Sequence, residues 1–249
     1  NNFFGMIPSV LMIVSPILIT AVGGMICERS GVVNIALEGL MSIGAFAAAA
    51  THVLLEGFFP GSIWVALLVG SLCGMLISVI HAFAAISLNA DQTVSGTGIN
   101  LLASGITVFF SQIIFRMDRT KPFQTGMMPG IFGIYPTALI AIIVVLISWF
   151  VLYKLPFGLR LRACGEDPSV AASVGIKVKR TRYIAVLVSG FLAGLAGGCL
   201  VFTQTIQYTS NTINGAGYIA LAAVSFGRWR PAGISASSLL FGSAVAFSI

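Results

Sequence analysis

The side chains that could do chemistry in this sequence are few, because 8% of its residues are charged and 57% are hydrophobic. Four of them, Glu28, Arg29, Asn34 and Glu38, interrupt or follow the first long apolar run. An unpaired charge in hydrocarbon costs at least about 2.5–3.5 kcal/mol, so such groups face protein, a cavity or water. They either line the path of a polar solute or form an interfacial turn whose side chains reach back to water.

A second polar group contains no charge. Residues 203–217, TQTIQYTSNTINGAG, carry Gln204, Gln207, Tyr208 and Asn211. Amides and hydroxyls both donate and accept hydrogen bonds, which suits a neutral, hydroxyl-rich substrate better than an ion. The alternative is a solvated loop. Asn100 belongs to a third polar cluster, at residues 91–100, for which the same two interpretations stand.

Enzyme chemistry is not predicted. The sequence contains no G-x-S-x-G motif, no H-E-x-x-H motif and no pair of catalytic carboxylates. His52, His81 and the four cysteines lack the spacing of metal ligands. We therefore expect no resident cofactor or metal. The sequence also lacks G-x-x-x-x-G-K-[ST], so any ATP that drives the protein would be used by a partner subunit.

The elements that position these residues are membrane-spanning helices. Mean hydropathy is +1.02, and a helix needs about 20 apolar residues to cross the hydrocarbon core. We predict an all-α, polytopic transmembrane helical bundle, forming one domain over residues 1–249. The predicted spans are residues 6–26, 35–55, 62–88, 94–115, 131–153, 183–202 and a segment from 234 onward, whereas the apolar run 219–226 is too short to span.

Residues 154–182 are a hydrophilic segment that carries seven of the thirteen basic residues. The positive-inside bias places this segment in the cytoplasm, with Arg29 on the same side and three basic residues outside. Because aromatic residues are not interleaved with the basic ones, we predict no nucleic-acid partner. Within it, Asp167 as N-cap and Pro168 in the first turn predict a short helix over 167–174 that Gly175 ends. Ala171 and Ala172 give this helix a flat face.

An inverted repeat is the predicted organisation. Span 6–26 runs inward and span 183–202 runs outward, and similar residues precede a polar break in each. The breaks are 27–34 and 203–217. In transporters built this way, the substrate path lies where helices break at corresponding places. We therefore assign a substrate-pathway role to eight polar residues: Glu28, Asn34, Glu38, Asn100, Gln204, Gln207, Tyr208 and Asn211.

Four segments resemble the permeases of bacterial ABC importers, in the branch that serves nucleosides and simple sugars and is related to branched-chain amino acid and ribose permeases. They are ERSGVVNIALEG at 28–39, GEDPSVAASVGI at 165–176, residues 189–198, and residues 217–242 with ALAAVSFGRWRPAG. One departure is Glu166-Asp167, where the family often has x-Asn.

The resemblance implies a subunit of an ATP-driven importer in the bacterial cytoplasmic membrane, with further spans after Ile249. Its implied partners are a cytoplasmic ATP-binding subunit, a second permease that is identical or paralogous, an extracellular lipoprotein or periplasmic binding protein, and membrane lipid. The implied ATPase contact comprises Gly165, Asp167, Pro168, Ala171, Ala172 and Gly175. The alternative function is an ion-coupled secondary transporter or channel for a small polar solute, with Glu28 or Glu38 as the ion-coupling group.

Overall fold

The computed structural model describes residues 3–58, 60–127 and 135–247, and these form ten α-helices without strands. Six of the helices are long and apolar enough to cross a membrane, which confirms the predicted all-α, polytopic fold. The helices are α1 Phe3–Glu28, α2 Leu37–Leu55, α3 Ser62–Ala82, α4 Gln92–Phe115, α5 Pro136–Lys154, α6 Pro156–Glu166, α7 Pro168–Ser173, α8 Val178–Gln204, α9 Ala216–Phe226 and α10 Pro231–Phe247.

The largest differences from the predicted spans are the start of α8 and the presence of α6. Helix α8 begins at Val178, five residues before the predicted start. The prediction followed the apolar stretch alone, whereas the basic residues that precede this stretch are also helical. Helix α6 was not predicted; Pro156 begins it, and Leu161 and Cys164 are its buried face. Residues 131–134 of the predicted fifth span lie outside the described residues.

Helices α1, α2 and α8 form the centre of the bundle, with 78%, 72% and 72% of their apolar windows buried. Helices α3, α4 and α5 surround them and are 33%, 28% and 28% buried. The outer helices expose large apolar side chains such as Leu101 and Leu146. Such surfaces suit a bilayer, whose tails solvate them as water cannot.

Close backbone contacts hold the centre together. The sequence places Gly190, Gly194 and Gly198 at four-residue intervals, which predicts close packing of helix backbones, and on α8 these glycines face α2 and α3. A Cβ on Gly194 would lie 2.5 Å from the Gly70 carbonyl oxygen and 3.1 Å from the Ser71 Cα. Small residues therefore allow three helix backbones to touch, as the spacing predicted.

Replacing Gly194 with alanine is expected to destabilise the bundle by about 1–3 kcal/mol, because backbone of another helix occupies the Cβ position. The matched control is Gly98→Ala in α4, where an added Cβ meets nothing within 4 Å. Alanine has the higher helix propensity, so the control is expected to keep or raise stability. Thermal unfolding in detergent measures both. Equal melting temperatures for the two variants would contradict the packing argument.

The two predicted breaks are present, and the helices before them run in opposite directions. Helix α1 leads into the break 29–36, and α8 leads into the break 205–215. Gly23 of α1 lies against Ser189 of α8, where the two helices cross. Helix α9 has 11 residues, about 16 Å at 1.5 Å per residue, so it covers half a bilayer. The repeat relation between the two halves stays a prediction.

Ten of the thirteen basic residues lie at one end of the bundle, which we call the basic end. Arg228 and Arg230, unassigned from the sequence, belong there because the Trp229 carbonyl oxygen accepts a hydrogen bond from Arg29 Nε at 3.1 Å. The opposite, outer end carries the loop from Arg116 to Met127. Ten basic residues at the basic end against three at the outer end strengthen the assignment of the basic end to the cytoplasm.

Candidate functional site

The two helix breaks meet at Glu38. Its carboxylate accepts hydrogen bonds from the backbone N–H groups of Gly215 at 2.8 Å and Gly217 at 2.7 Å, at the start of α9. Helix starts carry free N–H groups and a partial positive charge, so a carboxylate is stabilised there. Only glycine fits at position 217, because a Cβ there would lie 2.5 Å from the Glu38 Cα. Glu38 thus fixes the start of α9 on the start of α2.

Asn100 joins α4 to the same place. Its side-chain oxygen accepts from the Gly39 N–H at 2.8 Å, and its amide donates to the Ile35 carbonyl at 3.0 Å and the Tyr218 hydroxyl at 3.1 Å. We call Glu38, Asn100, Tyr218 and residues 215–217 the helix junction. Tyr218 was not among the residues predicted from the sequence, although it directly follows the polar break; it is 48% exposed.

Asn34 lies just before the junction and is fully buried. Its amide donates to Ser189 Oγ at 2.9 Å, and its oxygen accepts from the Ala36 N–H at 3.2 Å. Asn34 therefore holds the first break against the middle of α8. The four-residue spacing would put Asn34 and Glu38 on one helix face if the helix began at Asn34, but α2 begins at Leu37, so Asn34 lies in the break before the helix.

A cavity of about 660 Å³ lies between α1, the second break, α9 and α10. We call it the outer cavity. Gln204, Gln207 and Asn211 line it together, as do the apolar Ile13 and Ile17 of α1, and the described residues around it carry no charge. Its size is within the range of small-molecule sites. A cavity with convergent amides and apolar walls can bind a neutral molecule that has both rings and hydroxyls.

Tyr208 points away from this cavity. It is 1% exposed, its hydroxyl lies 2.6 Å from Ser42 Oγ, and its ring packs edge-on against Phe46. Burial raises the pKa of Tyr208, so the phenol stays protonated. Tyr208 therefore fastens the second break to α2 and does not line the cavity. Its predicted role in the pathway remains a prediction.

The outer loop is held over the second break. The Phe123 N–H donates to the Ile206 carbonyl and the Met127 N–H to the Phe202 carbonyl, both at 2.9 Å. Glu56, at the end of α2, accepts from Thr125 and from the Gln124 N–H. Burial acts to raise the pKa of Glu56, but the hydrogen bonds from Thr125 and Gln124 outweigh it and lower the pKa. The loop thus forms a fixed rim at the outer end.

Helix α7 lies at the basic end and matches the predicted short helix within one residue at each end. Asp167 caps it by accepting from the Ser169 N–H at 2.9 Å, the Ser169 hydroxyl at 2.6 Å and the Val170 N–H at 3.1 Å. The Ser169 hydroxyl and these backbone groups lower the pKa of Asp167. Gly175, with φ of +83°, ends the segment as expected.

The expected flat alanine face is wrong for Ala171, which is 2% exposed and packs inward. Consecutive helical positions differ by about 100°, and the one side of α7 that packs against the rest of the chain is the side of Ala171. Its neighbours are exposed, among them Ala172 and the two apolar residues Val170 and Val174, whose exposed fractions are 59% and 71%. We call these three residues the α7 face.

Contacts at the basic end tie α7 to the first break. Arg182 donates to the Ser30 carbonyl at 3.0 Å and to the Cys164 carbonyl at 3.3 Å. Gly165 lies directly against the Arg29 carbonyl, where a side chain would not fit. Arg29 also lies 3.9 Å from the exposed carboxylate of Glu166. The segment that carries α7 therefore rests on residues 29–31.

Glu28 lies at the basic end, where the Trp229 indole donates to its carboxylate. Gln204, in contrast, donates to the Met12 carbonyl at 3.3 Å. Sixteen residues of α1 separate these positions, about 24 Å at the helical rise. Glu28 therefore lies far from the outer cavity, and its predicted pathway role would concern the exit.

Six helices long and apolar enough to cross a membrane, a half-length helix packed on α1 and α2, and a cavity toward one end whose described lining is uncharged are features of a multi-pass membrane protein of the transporter class. Residues 6–248 match the family described as branched-chain amino acid transport system / permease component. The chain belongs to this family. Membership implies ATP-binding and substrate-binding partners in general.

Three relatives illustrate the match. The guanosine ABC transporter permease NupQ of Bacillus subtilis is 45% identical over 263 residues, covering 98% of this chain and 81% of the relative. The nucleoside ABC transporter permease NupC of Lactococcus lactis is 38% identical, covering 97% and 81%. The putative glucose ABC transporter permease TsgC13 of Haloferax volcanii is 32% identical, covering 96% and 75%. These relatives are named as transporter permeases and not as enzymes.

Proposed function

We propose that the chain is the permease component of an ATP-driven ABC importer for nucleosides or related simple sugars in the bacterial cytoplasmic membrane. One observation carries the proposal: α7 directly follows α6, whose end contacts residues 29–31 through Gly165 and Arg182, and that break continues to Glu38. A push on α7 at the basic end therefore reaches the start of α9, beside the outer cavity.

The mechanism follows from these contacts. A cytoplasmic subunit that binds ATP contacts the α7 face and moves α7 as it closes. Arg182 and Gly165 pass the movement to the first break, whose short irregular segment can shift more easily than a continuous helix. Glu38 then carries the start of α9 with α2. ATP is used by the partner subunit, and this chain supplies the path.

The substrate class is proposed from the outer cavity and from the names of the relatives. A nucleoside has a flat base and a hydroxyl-bearing sugar, which suit the apolar α1 wall and the three amides respectively. A binding protein at the outer end would deliver the molecule. A simple sugar offers the hydroxyls without the base, so it uses the amides and leaves the wall empty.

Removing one cavity amide, as in Gln207→Ala or Asn211→Ala, is expected to raise KM for nucleoside uptake about three- to tenfold, because a neutral hydrogen bond contributes about 0.5–1.5 kcal/mol. Maximal velocity should change little. The control is Gln112→Ala, an exposed amide of α4 outside the cavity lining. Uptake of radiolabelled guanosine measures all three. A KM that is unchanged in both cavity variants would remove the cavity from the substrate path.

A second permease chain is proposed to cover the polar side of α4. Thr97 and Ser104 are exposed there, on the face that leads to Asn100 and Tyr218. Polar groups at membrane depth face protein or a water-filled cavity. The mass of the purified complex gives the number of permease chains. A complex with one permease chain would contradict this part of the proposal.

The proposed energy source is tested by uptake into proteoliposomes that contain the permease and its ATP-binding subunits. We expect nucleoside uptake that requires ATP, stops with vanadate and continues when the proton gradient is collapsed. Uptake driven by a proton or sodium gradient without ATP would favour the alternative, an ion-coupled transporter or channel.

A further inference from the structure

A second cavity, of about 550 Å³, lies at the basic end between the start of α6, residues 174–177 after α7, and the start of α8; Val174 of the α7 face is on its edge. Three cationic side chains line it, Arg160, Lys177 and Arg180, together with the apolar Phe157 and Ile184. We propose that this cavity binds the headgroup of an anionic phospholipid from the adjacent leaflet. The proposal is independent of the substrate and of the outer cavity.

The charges of this lipid cavity are unbalanced. Among described residues, the ion pairs within 4.0 Å involve Arg29 and His52, so Arg160, Lys177 and Arg180 have no carboxylate partner there. The described lining residues also include no acid. Three cations around one space repel each other until an anion enters. A phosphate group offers several oxygens and suits the planar fork of arginine.

The depth of the cavity is that of lipid headgroups. Helix α5 ends at Lys154 and α8 begins at Val178, so Arg160, Lys177 and Arg180 lie where spans leave the hydrocarbon. Lys154 lies 5.6 Å from the centre of the Trp149 ring. Tryptophan near the end of a span is typical of the membrane interface. An anion bound here is therefore level with phospholipid phosphates.

An apolar track continues from the cavity toward the hydrocarbon. Ile184 and Val188 follow Arg180 at four-residue intervals, so the three side chains share one face of α8. Both apolar residues are partly exposed, at 36% and 37%. A free phosphate or a sugar phosphate has no use for this track, whereas an acyl chain would cover it. The combination identifies a diacyl lipid as the ligand.

The test uses the purified transporter with its partner subunits in detergent, titrated with dioleoyl phosphatidylglycerol or with dioleoyl phosphatidylcholine, and native mass spectrometry counts bound lipid. The cavity variant combines Arg160→Gln, Lys177→Gln and Arg180→Gln. The control combines Lys179→Gln, Arg228→Gln and Arg230→Gln, which removes the same charge from the basic end outside the cavity.

Wild-type protein is expected to prefer phosphatidylglycerol. Each basic residue near an anionic surface contributes about 1 kcal/mol, or about fivefold, so the cavity variant should bind it about a hundredfold more weakly. The control should lose no more than about fivefold. Ile184→Asn should weaken binding of the diacyl lipid. In a separate competition with the wild-type protein, glycerol phosphate at the same concentration should not displace the lipid. Each single cavity substitution should lose about fivefold, which keeps the test valid if the triple variant does not assemble.

Three results would overturn the proposal. Equal losses in the cavity variant and the control would indicate diffuse surface attraction. Displacement of the lipid by glycerol phosphate would indicate a site for a soluble anion. Unchanged lipid binding with loss of the ATP-binding subunit would assign the cavity to that protein contact.

Discussion

Glu38→Ala is expected to reduce nucleoside uptake by roughly 10- to 100-fold, because the start of α9 loses its two-point attachment to α2. A hydrogen bond to a charged group contributes about 1.5–3 kcal/mol, and Glu38 accepts two, from Gly215 and Gly217. Without them the N–H groups at the start of α9 are unsatisfied. The helix remains, since its apolar face still packs on α1. Uptake and the amount of protein in the membrane are measured together.

Glu38→Gln separates the two functions that the sequence left open. The amide keeps one oxygen acceptor, so for an ATP-driven importer uptake should lie between wild type and Glu38→Ala. For an ion-coupled transporter with Glu38 as the coupling group, glutamine should stop transport as completely as alanine does. Glu166→Gln is the matched control, since that carboxylate is 82% exposed with one contact at 3.9 Å. If both Glu38 variants lower expression and uptake in parallel, Glu38 is purely structural.

The spans and the half-length helix could be predicted from the sequence because the bilayer imposes its own length. About 20 apolar residues are needed to cross it, and the run ending at Phe226 was visibly too short. The close packing of α8 could likewise be predicted, from the spacing of its glycines. Glycines at every fourth position place backbone on one helix face, whatever the partner helix is.

The partners of the polar residues could not be predicted. Glu38 bonds to groups 177 and 179 residues away, and no local periodicity relates the two breaks. Tyr208 lies in an irregular segment, which has no fixed repeat to say which side chains point inward. Gln204, Gln207 and Asn211 line one cavity because they are neighbours in a segment that folds back as one unit, whereas their role in the substrate pathway stays a prediction.

The α7 face gives the second large expected effect. Ala172→Glu should reduce ATP-dependent uptake at least tenfold. The variant permease should still insert and fold. Ala172 is exposed between Val170 and Val174, so the added carboxylate disturbs no internal contact of the chain. In an apolar contact with the ATP-binding subunit it would be buried without a partner, which costs several kcal/mol. ATP hydrolysis and uptake are measured in the same proteoliposomes. The rate of uptake should fall by a larger factor than the rate of ATP hydrolysis.

Ala171→Glu distinguishes loss of coupling from loss of structure. Ala171 is 2% exposed, so a carboxylate there must displace the inner side of α7 from the rest of the chain. This variant should lose thermal stability as well as uptake, whereas Ala172→Glu should lose uptake alone. Ala172→Ser, small and uncharged, should retain both. Normal coupled uptake in Ala172→Glu would exclude the α7 face as the ATPase contact. Residues 29–31 contact Gly165 of α6, and Arg29 also contacts the Trp229 carbonyl, so the coupling subunit would then have to push on α6 or on the loop at Trp229.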